Sequence, residues 1–156
     1  MIYAGIDPGL SGAIAFDCGG SWEIYDMPVV QGRTGKNQIA ISTLAAILRD
    51  YEISHAFIED VHAMPKQGVS SSFNFGFGCG VIQGVVSTLK IPYTVVTPQK
   101  WKKAMGVTAD KDSSRARAMQ LFPEAGPRFA RKKDDGRAEA ALIVRYGMIH
   151  VLRVSL

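Results

Sequence analysis

Three short runs with strand-like composition open the chain, and they constrain its fold more than any other feature. Residues 2–7, 13–17 and 22–27 are rich in apolar, β-branched and aromatic side chains. Pro8-Gly9 closes the first run and Cys18-Gly19-Gly20 separates the second from the third, and both are strong turn signals. Strands joined by connections this short pair antiparallel, so the sequence predicts a three-stranded meander.

The rest of the chain alternates between helical and strand-like patterns. We expect a polar loop at 31–36, a helix at 37–50 capped by Asn37, a strand at 55–61, a helix at 71–90, a strand at 91–97 and helices at 98–105, 110–121 and 134–150. This order predicts an α/β fold with a central mixed five-stranded sheet flanked by helices. No internal repeat or linker divides the 156 residues, so we expect a single domain spanning 1–156.

The predicted helix at 71–90 is unusually rich in glycine. Gly76, Gly78, Gly80 and Gly84 together lower its helical propensity by about 3–4 kcal/mol. Tertiary packing must offset this cost, so we expect another helix or backbone segment to approach closely there. The partner is either the sheet of the same chain or a second subunit.

The composition is that of an ordinary globular protein, with 47% hydrophobic and 21% charged residues. No apolar run approaches the roughly 18 residues that a membrane span requires. The N-terminus has no basic segment followed by an apolar one, so no signal peptide is visible. Cys18 and Cys79 have neither a disulfide-framework nor a metal-knuckle spacing. We therefore expect reduced thiols in a cytoplasmic protein without membrane contact.

The positive charge is concentrated in one segment. Residues 98–137 hold eleven Lys or Arg against five Asp or Glu, whereas the remainder holds seven against nine, and the two balances of +6 and −2 give the net +4. A basic segment on a mildly acidic body indicates a polyanionic partner, with nucleic acid the leading candidate. The alternative is a solvated basic surface that binds nothing in particular.

Four acids stand where a metal site would need them. Asp7 ends the first strand and Glu59 lies near the end of the strand at 55–61, so neighbouring strands would bring both carboxylates to one sheet edge. Asp135 and Glu139 are four residues apart, which places them on one face of a helix. Carboxylate oxygens suit Mg²⁺, and two such ions stabilise the attacking and leaving oxygens in phosphodiester cleavage. The pattern therefore favours a two-metal site.

Each acid also has a purely structural explanation. Asp7 can accept hydrogen bonds in the Pro-Gly turn, Asp134 and Asp135 can cap a helix, and Glu59 can pair with a lysine. The combination with an adjoining basic segment favours the metal site over these alternatives.

Three segments carry a resemblance to a known family. IYAGIDPGLSGAIAF near the start, the strand FIEDV and the C-terminal KKDDGRAEAALIVRYG resemble, in order and separation, the RuvC family of Holliday junction resolvases. The form DDGRAEA is similar to phage and prophage members. The resemblance implies an RNase H-like fold, a homodimer, and Mg²⁺- or Mn²⁺-dependent nicking of four-way DNA junctions that leaves 5′-phosphate and 3′-hydroxyl ends. Host or phage recombination proteins are possible partners.

The resemblance also implies roles for individual residues. It carries metal binding, with two ions per site, onto Asp7, Glu59, Asp135 and Glu139. Better-known members close with two acids, or His and Asp, three residues apart rather than four, so Asp134 is the alternative to Asp135.

Further residues are candidates for contacting DNA. Lys111 is the candidate for a phosphate contact near the metals, or else an exposed lysine at a helix start. Phe73 is the candidate for stacking on unpaired bases at the crossover, whereas Phe75 and Phe77 are expected in the core. Trp22 and Trp101 are expected to pack in the interior. The remaining candidates for backbone contacts are Lys100, Lys102, Lys103, Arg115, Lys132, Lys133 and Arg137.

Three other readings remain open. GIDPGLSGAIAFD also resembles the phosphate loop of the actin and sugar-kinase superfamily, but 156 residues are too few for that fold's second lobe. A nuclease for flaps, forks or RNA–DNA hybrids would use the same site. A module that binds branched DNA without cutting it would not need the acids, because carboxylates repel phosphates unless a metal intervenes.

Overall fold

A five-stranded mixed sheet forms the centre of the protein, as the sequence predicts. The computed structural model describes residues 1–62 and 66–155. The strands of the central sheet follow the order β3-β2-β1-β6-β7. The first three pair antiparallel as a meander, and β6 and β7 add in parallel to β1. Their bounds are Ile2–Asp7 (β1), Ala13–Asp17 (β2), Trp22–Asp26 (β3), Ile53–Glu59 (β6) and Tyr93–Val96 (β7).

Helices cover both faces of this sheet, and each face has its own apolar core. The first core includes Ile6, Ile14, Leu44 and Ile82 under α1 and α2, and the second includes Phe57 and residues of α3, α4 and α5. None of the described helices is long and apolar enough to cross a membrane. The helices are α1 (Ile41–Arg49), α2 (Val69–Thr88), α3 (Pro98–Met105), α4 (Lys111–Leu121) and α5 (Asp135–Tyr146), with 3₁₀ turns at Pro123–Phe129 and Lys132–Asp134 and a π-helical turn at Gly147–Val151.

Two glycines let α5 lie directly against the start of the chain. A Cβ atom on Gly5 of β1 would overlap the carbonyl oxygen of Ala140. One on Gly136, in the first turn of α5, would overlap the carbonyl oxygen of Ser11. Only glycine permits approaches this close. The N-terminal half of α5 is therefore held beside the carboxyl end of β1, where Asp7 stands.

The segment predicted as the start of a helix at Asn37 forms a strand instead. β4 (Val29–Gln31) and β5 (Asn37–Ile39) make a separate two-stranded hairpin, and α1 begins only at Ile41. Gly35 turns the chain with a φ of 76°, and the Gly32 amide donates to the Lys36 carbonyl at 2.8 Å. The glycines that indicate a loop in the sequence thus close a tight turn, and pairing with β4 overrides the helical pattern.

Three of the four glycines of α2 meet no neighbouring segment of the described chain, so the close approach expected there is not to the chain's own sheet. A Cβ atom on Gly76, Gly80 or Gly84 would find no described heavy atom within 4 Å. Gly78 is the exception, since its Cβ would lie 3.4 Å from Ile39 Cδ1 of the hairpin. The three open glycines recur every fourth residue, so they form a flat stripe on the solvent side of α2.

Candidate acidic site

Two of the predicted acids come together because their strands are neighbours. β1 and β6 run parallel, with Ile6 paired to Ile58. The next residue on each strand is the acid, so Asp7 and Glu59 lie side by side at the carboxyl edge of the sheet. Glu59 is buried and Asp7 is half-buried.

The first turns of α5 bring the other two acids to the same place. The pKa of Asp7 is raised from 3.8 to about 7, first by burial and then by the charges of Glu139 and Glu59, with a smaller effect from Asp135. One backbone N–H, that of Gly9, donates to Asp7 Oδ1 at 3.3 Å and acts in the opposite direction. These four carboxylates are called the acid cluster below.

Glu59 is anchored by a residue that the sequence assigns only to the core. Trp101 of α3 is completely buried, and its indole N–H donates to Glu59 Oε1 at 2.9 Å. Burial raises the pKa of Glu59, and this hydrogen bond partly counters the effect. No pattern in the sequence links a tryptophan of the basic segment to an acid 42 positions earlier, so only the fold shows this role.

Glu139 and Asp135 each have partners from the basic segment. Lys102 Nζ lies 3.3 Å from Glu139 Oε1, and the buried hydroxyl of Ser114 donates to the same oxygen at 3.2 Å. Lys111 Nζ lies 2.7 Å from Asp135 Oδ2, and this hydrogen bond raises the pKa of Lys111. Lys111, predicted near the metals, therefore lies at the acid cluster, as does Lys102. Ser114 is missed by the sequence analysis.

Asp134 has a different environment from Asp135. Its carboxylate is almost fully buried and accepts hydrogen bonds from the Arg131 amide and guanidinium at 2.8–3.2 Å. Burial tends to raise the pKa of Asp134, but these hydrogen bonds lower it overall. Asp134 thus braces the turn before α5, while Asp135 lies at the acid cluster.

The carboxylates of the acid cluster suit a hard divalent cation, although each already forms a hydrogen bond or an ion pair with another group of the protein. Among the described residues, no three His, Cys, Asp or Glu side chains already form a metal-binding group. The acid cluster nevertheless supplies only carboxylate oxygens, the ligands that Mg²⁺ and Mn²⁺ prefer. Its mutual repulsion, visible in the raised pKa of Asp7, is what a bound cation relieves. The ligand assignments stay predictions.

Four of the predicted DNA-contacting lysines are exposed. They form no ion pair within the described residues, so their ammonium groups are available to a polyanion. These residues are Lys100, Lys103, Lys132 and Lys133.

The two predicted DNA-contacting arginines are engaged within the protein. Arg115 donates to the Ala130 carbonyl at 3.0 Å and pairs with Asp112 at 2.7 Å. Arg137 makes a bidentate contact with Asp26, at 2.6 and 2.7 Å. Both guanidinium groups therefore hold the fold in place, and their contact with DNA stays a prediction.

The aromatic residues of α2 are more exposed than expected. Phe73 and Phe77 are 70% and 51% exposed, and their rings stack with centroids 6.5 Å apart. The prediction that Phe77 lies in the core is wrong, because none of the described residues covers its helix face, and Phe75 is half-buried. Trp22 and Trp101 are buried as predicted.

Comparisons with known proteins identify the fold. No model of a known protein family matches the sequence, and no curated protein is significantly similar to it. The structure superposes on Thermus thermophilus RuvC in complex with a Holliday junction substrate, with a TM-score of 0.64, 14% identity and 96% of each chain covered. A second Thermus thermophilus RuvC structure gives 0.61, 15% and 96% of each chain. The yeast mitochondrial Holliday junction resolvase Ydc2 gives 0.51 and 13%, over 91% of this chain and 75% of that one. The predicted RNase H-like fold is confirmed.

Proposed function

We propose that the protein is a metal-dependent endonuclease that resolves four-way DNA junctions. The observation that carries the proposal is the convergence of the four carboxylates of the acid cluster beside Lys102 and Lys111. Acids next to exposed cations suit a site that must hold a divalent metal and admit a phosphate. The likeness in fold to junction resolvases supports the same conclusion.

Asp7, Glu59, Asp135 and Glu139 would hold two Mg²⁺ or Mn²⁺ ions. When bound, such ions lower the pKa of water and neutralise the scissile phosphate. A water oxygen forms a bond to phosphorus while the bond from phosphorus to the 3′ oxygen breaks, and that oxygen receives a proton. The products are a 5′-phosphate and a 3′-hydroxyl.

The chain's own residues support this reaction through position and charge. The Trp101 indole and the Ser114 hydroxyl fix the carboxylates of Glu59 and Glu139. Lys102 and Lys111 place positive charge where the negative charge on the phosphate develops. Lys111 is 70% exposed and reaches inward to Asp135, so it can turn toward an arriving phosphate at little cost.

The remaining surface suits branched DNA. Exposed lysines on α3 and before α5 would contact the phosphate backbone, and Phe73 with its stacked neighbour Phe77 would stack on unpaired bases. The glycine stripe of α2 offers a flat surface on which a second subunit can pack. A homodimer would place two acid clusters on one junction and would so produce the paired nicks that the proposal expects.

The proposal is tested by offering the protein a synthetic four-way junction, a matched duplex, a flap and an RNA–DNA hybrid, each with Mg²⁺ and with EDTA. Glu139→Gln is the test variant, and Glu124→Gln, which removes an exposed acid outside the cluster, is its control. We expect symmetrical nicks on the junction alone, lost with EDTA and with Glu139→Gln but kept in the control. Equal cutting of flap and junction would indicate a broader nuclease, and tight binding without cutting would indicate a binding module.

A further inference from the structure

An open groove lies between the β4–β5 hairpin and the first turns of α2, next to the acid cluster. Its volume is about 860 Å³, within the roughly 300–1,000 Å³ of typical ligand clefts. One end is formed by Gly9, Leu10 and Ser11, which directly follow the Asp7 turn. A chain-like ligand lying in the groove would therefore pass the acid cluster. We call this feature the hairpin groove.

The groove is lined by hydrogen-bonding groups and a cation, together with the apolar side chains of Leu10, Ile39, Phe75 and Phe77. Hydroxyl and amide side chains project from both walls, among them Thr34, Gln38, Ser71 and Asn74, and Lys36 adds a positive charge. None of the described lining residues is Asp or Glu, although the acid cluster lies nearby. Such a surface suits phosphate oxygens, which accept hydrogen bonds from all of these groups.

Exposed cations extend the positive character beyond the lining. Arg33 stands at the tip of the hairpin, and Lys66 lies two residues before Gly68, which lines the groove. The first N–H groups of α2 have no acceptor within the helix and contribute a partial positive charge at this end. Lys36 lines the hairpin groove, and Arg33 and Lys66 are exposed close in sequence to residues that line it.

The hairpin wall is fixed to α2 rather than free to move. Lys36 Nζ donates to the Ser70 hydroxyl at 3.2 Å, joining the two walls. The buried side chain of Ile39 packs beneath Gly78 of α2. Because the two walls are already joined, they need not become ordered when a strand binds, and this lowers the entropic cost of binding.

We propose that the hairpin groove binds the phosphodiester backbone of the DNA strand that continues from the scissile phosphate. The inference rests on the proposed function for its ligand, and it adds a binding site formed by Lys36 and the polar residues opposite it, with Arg33 exposed next to the lining residue Thr34. The site fixes the direction in which the cut strand leaves the acid cluster. We favour DNA over an acidic peptide as the ligand, because the groove begins beside the acid cluster, where a phosphodiester would be cleaved.

The test compares the salt dependence of junction binding, measured in EDTA so that no cutting occurs. The double variant Arg33→Gln/Lys36→Gln removes the two hairpin charges. Arg49→Gln/Lys90→Gln removes the same two residue types from exposed positions outside the groove and serves as the control. Thermal melting of all variants checks that the hairpin stays folded.

A plot of log K against log salt concentration has a negative slope, and each lost phosphate contact reduces the magnitude of this slope by about 0.7–0.9. We expect the hairpin double variant to reduce the magnitude of the slope by about 1.5, and the control to leave it unchanged. An unchanged slope, or an equal fall in the control, would overturn the groove even if the wild type cuts junctions. A fall in slope without any cutting by the wild type would support the groove and refute the nuclease. Failure of the wild type to bind DNA would refute both.

Discussion

At the residue scale, the hydrogen bond from Trp101 to Glu59 is the contact whose removal tells most about the acid cluster. Trp101→Phe keeps a ring in the buried space but leaves Glu59 Oε1 without its donor. Residues that orient metal ligands typically cost 10–100-fold in metal affinity when mutated. We expect the Mg²⁺ concentration for half-maximal cleavage to rise by about 10-fold or more.

The matched control for this variant is Trp22→Phe. Trp22 is also buried and packs against the Phe122 ring, with centroids 4.4 Å apart, on the same side of the sheet but outside the acid cluster. It should lose stability without changing the Mg²⁺ dependence. Equal Mg²⁺ profiles for the two variants would show that Trp101 is only a packing residue.

The raised pKa of Asp7 makes stability depend on pH when no metal is bound. Because the folded pKa of about 7 exceeds the unfolded value of 3.8, the folded state holds more protons between these limits, and stability falls as pH rises through them. Asp7→Asn removes this cost. In EDTA at pH 8 we expect it to melt roughly 2–8 °C above the wild type, with the difference vanishing near pH 4.

Asp134→Asn should have the opposite effect on the melting temperature. Because the pKa of Asp134 is lowered in the folded protein, its ionised carboxylate stabilises the folded state. This stabilisation is present above the unfolded pKa and is lost as the pH falls through the folded pKa. Melting curves for both variants, with and without Mg²⁺, measure the contrast. A wild type that melts at the same temperature from pH 4 to pH 8 in EDTA would contradict the assignment for Asp7.

Sequence reasoning at this scale found the acids but not the groups that hold them. Asp7 and Glu59 stand at strand ends, a position that a linear pattern shows directly. Trp101 and Ser114 reach the acids only because α3 and α4 pack beside α5, and packing between helices leaves no trace in spacing. The choice between Asp134 and Asp135 likewise depends on where Arg131 lies.

At the element scale, the order of strands and helices was predictable and the exceptions have physical causes. The hydrophobic patterns predicted all five strands of the central sheet and all five α-helices, with errors only in where these elements begin and end. The hairpin at 29–39 was missed because its strands have three residues each, too few for an alternating pattern. The glycines of α2 were predicted to lie in a contact, and within the described chain only Gly78 does.

The contact between α5 and β1 is the element-scale feature that sets the geometry of the acid cluster. Gly5→Ala would place a methyl group against the Ala140 carbonyl and the Val144 side chain, so α5 must move outward. Overpacking of this kind typically costs about 1–3 kcal/mol. We expect a lower melting temperature together with a higher Mg²⁺ concentration for half-maximal cleavage, because Asp135 and Glu139 move away from Asp7.

Gly126→Ala is the control for this substitution. Gly126 has open space around its Cβ position and lies in the 3₁₀ turn before α5. It should change neither the melting temperature nor the Mg²⁺ dependence by much. If Gly5→Ala also left both unchanged, the close approach of α5 would not be what positions its acids.

At the scale of the whole molecule, the distribution of surface types separates two roles. The carboxyl edge of the sheet holds the acid cluster and its lysines, whereas the outer side of α2 holds the glycine stripe with the exposed Phe73 and Phe77. An exposed apolar patch next to a flat helix face is typical of a surface that meets a partner. A second copy of the chain, paired through the glycine stripe, would cover the stripe symmetrically and leave the two rings for unpaired bases.

This arrangement predicts that Gly80→Arg separates the subunits without unfolding them. Gly80 is exposed, and a Cβ atom there would meet no described heavy atom within 4 Å apart from its own helical turn. The substitution should therefore change the free energy of unfolding of the monomer by no more than about 0.5 kcal/mol. Light scattering should show a dimer for the wild type and for Gly126→Arg, and a monomer for Gly80→Arg. Because the two nicks of a junction would then come from independent encounters, single nicks should accumulate before paired ones. A monomeric wild type would exclude the homodimer. A Gly80→Arg protein that stays dimeric and cuts in pairs would show that the subunits meet at another surface. In either case the open glycines of α2 would need another explanation.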